Sequence, residues 1–251
     1  MSATTTSNTT SNPAFSDRLY ARARETMSGT EKMTIAGACN RSLVLIAIVA
    51  AVAWVTGTAT LDGATWAMPA LIGGAIGGLI VALVTIFKPH FAPVTGPLYA
   101  LLEGVVVGVL SALMNVQFDG IVIQAVAGTF VVFMVMLVLY RTRVIKVTAR
   151  FRMIVIGATV SIFFFYLVVI VLGLFGVNTE AVMGGGTLSI IISAAIIVVA
   201  ALNLALDFDF IEQGAAAGLP RQMEWYAAFG LLVTLIWLYL EILRLLAATR
   251  R

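Results

Sequence analysis

From residue 42 onward, apolar stretches of about 20 residues alternate with short polar breaks, and that length is what an α-helix needs to cross a hydrocarbon layer of about 30 Å. Seven such stretches are legible, at 42–60, 66–87, 94–115, 120–140, 153–176, 187–210 and 225–246. None alternates apolar with polar residues as a membrane β-strand does. An unbroken run such as 162–175 satisfies its backbone polar groups in lipid only as a helix. The pattern predicts an all-α, polytopic, seven-transmembrane-helix bundle over 42–251. It is preceded by a polar, flexible leader, 1–41, in which 15–27 has the makings of a weak surface helix.

Composition sharpens this picture. Of the 251 residues, 61% are hydrophobic and only 11% charged, too little polar surface to coat a water-soluble globule. A single cysteine, Cys39, excludes an internal disulfide. The net charge of +3 reads as topology rather than as affinity for nucleic acid. With the amino terminus in the cytoplasm, 12 of the 15 basic residues fall in the leader and the cytoplasmic connections. The external connections carry only the acids Asp62, Asp119 and Glu180, with Asn115 and Asn178 as ordinary loop residues. Seven spans then leave Arg244, Arg250 and Arg251 at an external carboxyl end, against the positive-inside rule.

Counting removes several chemistries. One histidine, His90, lies beside a turn, so no metal-binding His pair exists, and no lysine lies inside a span to carry retinal. No enzymatic role and no cofactor is expected. Glycines at 73, 74, 77, 78, 104 and 108 follow small-xxx-small spacing and predict close helix contacts. The aromatic group at 163–166 is expected in the core, and Trp225 with Tyr226 at an interface.

The candidate chemistry is a set of carboxylates at membrane depth. Glu103 lies about nine residues into the third span, roughly 14 Å deep, where an ionised side chain must face protein or water. In the sixth span Ser189, Ser193, Ala200, Asn203 and Asp207 form a small, polar stripe that ends in the cluster Asp207, Asp209 and Glu212. Asp207 and Asp209 project about 200° apart, so only one is expected to point inward, and Asp207 shares the face of Asn203. Glu241 and Arg244, three apart near the outer end of the last span, are spaced for an ion pair.

Four segments resemble the Bax inhibitor-1 family, in its bacterial, actinobacterial-type branch. They are Ser11-Asn-Pro-Ala-Phe15, Tyr99-Ala-Leu-Leu-Glu103-Gly104, Leu206-Asp207 to Ile211, and Leu-Tyr-Leu-Glu-Ile-Leu-Arg-Leu-Leu at 238–246. The resemblance implies a central seventh helix wrapped by the other six. It also implies a pH-sensitive calcium leak channel of the bacterial inner membrane, closed by acids of the sixth and seventh helices together with a basic residue of the second. Asp207 matches the sixth-helix acid and Lys88 the basic residue. Alignment on Arg244, which matches on both sides, brings Thr234 to the seventh-helix position, whereas alignment on Leu-Tyr-Leu brings Glu241 there. On this reading Glu103 and Asp207 line a cation path and meet Ca²⁺, Asn203 and Thr234 supply neutral oxygens, and Lys88 and Asp209 take part in gating. A non-conducting regulator that binds another membrane protein through the glycine faces, and a secondary transporter, are the alternatives.

Overall fold

The structure is a computed structural model that describes residues 31–177, 179 and 184–250. The proposed surface helix at 15–27, the first matched segment, Asn178, Glu180 and Arg251 lie outside the described residues. Seven long helices follow in order: α1 Ile35–Leu61, α2 Ala67–Phe87, α3 Ala92–Gln117, α4 Ile121–Arg141, α5 Ala149–Leu174, α6 Thr187–Ala216 and α7 Met223–Thr249. All seven are long and apolar enough to span a membrane. The largest departure from the sequence reading is at the start. Helix α1 begins inside the segment assigned to the leader, because Thr34 caps it: its extended backbone turns the hydroxyl back to accept from the Gly37 amide at 2.9 Å. Thr148 does the same for α5.

The seventh helix is central, as expected, with 61% of its apolar window buried against 11% for α5. Its backbone packs closely against α1, α3, α4 and α6; α5 lies mainly against α6 and reaches α7 through the Tyr166 side chain, and α2 lies against α3. Two glycine surfaces explain the closest approaches. A methyl on Gly108 would come 2.5 Å from the Ala53 carbonyl oxygen, and one on Gly104 2.7 Å from the Val52 Cβ, so α1 and α3 meet backbone to backbone. On α2, Gly74 and Gly78 face α3, whereas Gly73 faces open space. The aromatic group at 163–166 differs in part from expectation: Phe163 and Phe164 are exposed on the outer surface of α5, while Phe165 and Tyr166 are half-buried and Tyr166 reaches α7.

Tight turns reverse the chain at each end. Gly120 (φ 71°) and Gly218 (φ 64°) hold left-handed conformations at the entries to α4 and α7, where a side chain would be strained. At one end of the bundle lie Lys88, Arg141, Arg143, Lys146 and Arg221; at the other, Asp62, Asp119 and the close of α7. Arg250 donates to the Asp119 carbonyl at 2.9 Å and to Gln124 Oε1 at 2.8 Å, which fixes the end of α7 at the acidic end.

Candidate functional site

Six carboxylates lie within the seven helices among the described residues, and they fall into two sets. Four have an arginine. Asp209 pairs with Arg152 of α5 at 2.7 Å and also accepts from Gln213. Glu212 pairs with Arg143 and accepts from the Tyr140 hydroxyl. Glu224 pairs with Arg41 at 2.9 Å, and Glu241 with Arg244 at 2.8 Å. Three of these pairs are buried, and removing either partner would leave an uncompensated charge in the bundle, whereas the Glu212–Arg143 pair lies at the surface, with Arg143 60% and Glu212 39% exposed. Glu103 and Asp207 have no ion pair among the described residues.

The two unpaired acids are set differently. Glu103, on α3, lies against Gly78 of α2, where an added Cβ would come 2.8 Å from its Oε1. Tyr99, one turn earlier on the same helix, is its polar neighbour. Asp207, on α6, faces the central helix: Oδ1 would sit 3.7 Å from a Cβ on Gly230, and Thr234 is its side-chain partner. The other oxygen, Oδ2, is sealed from solvent with no hydrogen-bond partner. Thr234 has one proton and two acceptors in reach, Asp207 and the Gly230 carbonyl at 3.2 Å.

Glu103 and Asp207 therefore occupy separate helix seams, α2–α3 and α6–α7. Tyr99 spans the interval in part, since its ring packs edge-on against Phe229 at 5.0 Å, the residue before Gly230. A cavity of about 240 Å³ lies elsewhere, at the acidic end between α3 and α7, lined by Leu110, Met114, Leu240 and Arg244 among others.

The remaining sequence candidates are placed as follows. The stripe on α6 is interior at Ser189, Ser193 and Ala200, all fully buried. It serves several partners: Ser193 accepts from Arg244, while Asn203 donates to Thr159 of α5 at 2.8 Å and to the Val199 carbonyl. Asn203 thus turns to α5 and Asp207 to α7, although they lie one helical turn apart. Asp209 corrects the expectation that only one of the two aspartates is interior. It is 7% exposed, because α5 brings Arg152 to the face opposite α7. Lys88 is exposed at the end of α2 with its ammonium 5.9 Å from the Phe91 ring centre, and it makes no ion pair with Asp207. The Glu241–Arg244 pair forms as the spacing predicts and extends further, for Tyr166 of α5 donates to Glu241 at 2.6 Å.

Sequence reasoning missed Glu224, which sits at the polar start of the last span and reads as an interface residue. It is 2% exposed. Its Oε1 accepts from the backbone and hydroxyl of Thr34 at 2.9 and 3.0 Å, and its carboxylate fills the space a side chain at Gly37 would need. Its partners lie 190 residues away along the chain, so no local spacing announces them.

No curated protein and no solved structure matches the chain. The family described as Bax inhibitor 1 like matches residues 12–251, nearly the whole length, and the chain belongs to that family.

Proposed function

We propose that this multi-pass membrane protein is a pH-sensitive Ca²⁺ leak of a bacterial plasma membrane, with its basic end in the cytoplasm, and that Asp207 carries the conducting step. The observation behind this reading is the unpartnered Oδ2 of Asp207, held against the central helix while every other carboxylate of α6 and α7 has an arginine. An unsatisfied oxygen in a bundle core costs stability, and such costs concentrate where function needs them. Asp207, the Thr234 hydroxyl and the Gly230 carbonyl together offer the oxygen-only donors that a hard cation accepts. Protonating Asp207 removes the charge, while the Thr234 hydroxyl keeps the Gly230 carbonyl as its acceptor.

Glu103 acts at one remove. Its carboxylate bears on α2 through Gly78 and on α7 through Tyr99 and Phe229, so its charge state adjusts how α2 and α3 pack beside the conducting seam. Two alternatives find less support. A regulator docking through the glycine faces would use surfaces that the bundle occupies, since Gly74 and Gly78 already meet α3, and Gly104 and Gly108 meet α1. A coupled transporter would be expected to show paired broken helices at its substrate site, and the seven spans run as continuous helices.

The test is Ca²⁺ flux into proteoliposomes with the purified chain. Asp207→Asn is expected to abolish most of the flux, and Glu103→Gln to change its pH profile without abolishing it. Wild-type flux and pH profile in Asp207→Asn would end this reading.

A further inference from the structure

The residues just before α1 form a feature that the cation path does not use. Residues 31–33 run antiparallel to the connection between α6 and α7: Met33 N donates to the Leu219 carbonyl at 2.6 Å, Arg221 N donates to the Glu31 carbonyl at 3.0 Å, and Lys32 stands opposite Pro220. Glu31 and Arg221 add an ion pair. Met33 is 2% exposed and sits in a small apolar core with Phe210 and Ile211 of α6 and Met223 and Ala227 of α7. Its sulfur would lie 3.0 Å from a Cβ on Gly214 of α6, so the absence of that Cβ makes its seat.

This core caps the same α6–α7 seam that holds Asp207. Gly214 is seven residues from Asp207, about 10 Å along α6, and Glu224 is six from Gly230, about 9 Å along α7. Glu224 fastens the strap from below, since Oε1 holds both donors of Thr34 and Oε2 holds Arg41, whose guanidinium also stacks 5.4 Å from the Trp225 ring centre.

We propose that residues 31–34 are a plug, with Met33 as its stopper and Glu224 as its latch, which closes the basic end of the α6–α7 seam over Asp207. The proposal rests on the conducting role of that seam for its physiological meaning, but not for its geometry. Charge-assisted contacts hold the strap, whereas Met33 contributes only apolar packing, so the latch and the stopper are separable by mutation.

Two measurements test it, both in a Cys39→Ala background. The first is labelling of Gly230→Cys by a charged maleimide in nanodiscs, with thermal unfolding confirming that each variant is folded. Glu224→Gln and Met33→Ala are each expected to speed labelling by about tenfold, the factor that 1.4 kcal/mol lost from the closed state gives. Unchanged labelling in both folded variants overturns the plug. The second uses Lys32→Cys with Pro220→Cys. These positions form a narrow, non-hydrogen-bonded antiparallel pair, whose spacing of about 4.5 Å suits a disulfide. Oxidation is expected to slow Ca²⁺ flux in proteoliposomes, and reduction to restore it. Faster labelling in the first measurement without any effect of the disulfide on flux supports the plug and counts against conduction through the seam, so the two ideas fail separately.

Discussion

The carboxylate of Glu103 rests on the bare α-carbon of Gly78, so close that a methyl there would come 2.8 Å from Oε1. The same arrangement recurs where the Glu224 carboxylate occupies the space a side chain at Gly37 would fill, so that at these two positions glycine admits a carboxylate between packed helices, whereas at Gly230 a Cβ would meet Asp207 only at an ordinary 3.7 Å. The obstacle at Gly78 is the movable end of a side chain, whereas at Gly108 it is the Ala53 backbone at 2.5 Å. Gly108→Ala is therefore expected to lower stability by about 1–3 kcal/mol, as overpacking of a tight interface does. Gly73→Ala, which meets nothing within 4 Å, should stay within about 0.5 kcal/mol of wild type. Gly78→Ala should fall between them and recover part of its loss when combined with Glu103→Ala. Thermal melts in one detergent rank the four, and equal melting for Gly73→Ala and Gly108→Ala contradicts this packing.

Asp207 makes a prediction of opposite sign for stability and activity. Its Oδ2 has no partner, and Thr234 keeps the Gly230 carbonyl as an acceptor if the acid is removed. Asp207→Leu thus takes away an unsatisfied buried oxygen without orphaning a neighbour, and should raise stability by roughly 1–3 kcal/mol. The same variant should lose Ca²⁺ flux, the trade expected of a residue kept for function at a cost in stability. A variant both less stable and fully active would show that Asp207 is structural.

The helices were legible because lipid imposes a length and a polarity on each span that a hydropathy pattern records directly. The start of α1 was not, since the hydroxyl of Thr34 and a partner 190 residues away decide it. For the site, depth picked out Glu103, and helical spacing with the family resemblance picked out Asp207; these are the two acids of the described helices without an arginine. Which faces meet was harder to read. Asn203 and Asp207 share a helical face by spacing, yet their side chains diverge to α5 and α7, and the burial of Asp209 depends on Arg152 arriving from a helix that hydropathy cannot orient. Tyr166 reads as plain core packing and Glu224 draws no attention, because their roles come from contacts across the bundle.

The Asp209–Arg152 pair separates the charges that hold the fold from the one assigned to conduction. Their side chains are 10% and 14% exposed, so removing one partner leaves the other charge poorly solvated. Arg152→Gln is expected to cost about 3–5 kcal/mol, and the double variant Arg152→Gln with Asp209→Asn to recover much of it. A double-mutant cycle by thermal unfolding measures this, and additive single effects would show that the pair is not coupled.

Three arginines at the carboxyl end stand against the positive-inside rule, and the bundle shows what holds two of them there. Arg244 is matched by Glu241 on the same helix, and Arg250 is tied to the turn between α3 and α4 through Asp119 and Gln124. Charges held by local partners exert less pull toward the cytoplasm than the denser basic cluster around the α4–α5 connection, where Arg141, Arg143, Lys146, Arg150 and Arg152 lie within twelve residues. A peptide tag added after Arg251 and a cysteine at Lys146 should consequently be reached from opposite sides of the membrane, the second from the cytoplasm. Protection assays on sealed vesicles of known orientation distinguish the sides. Finding both on one side would require an even number of crossings, and would break the contact between Arg250 and the α3–α4 turn on which this arrangement depends.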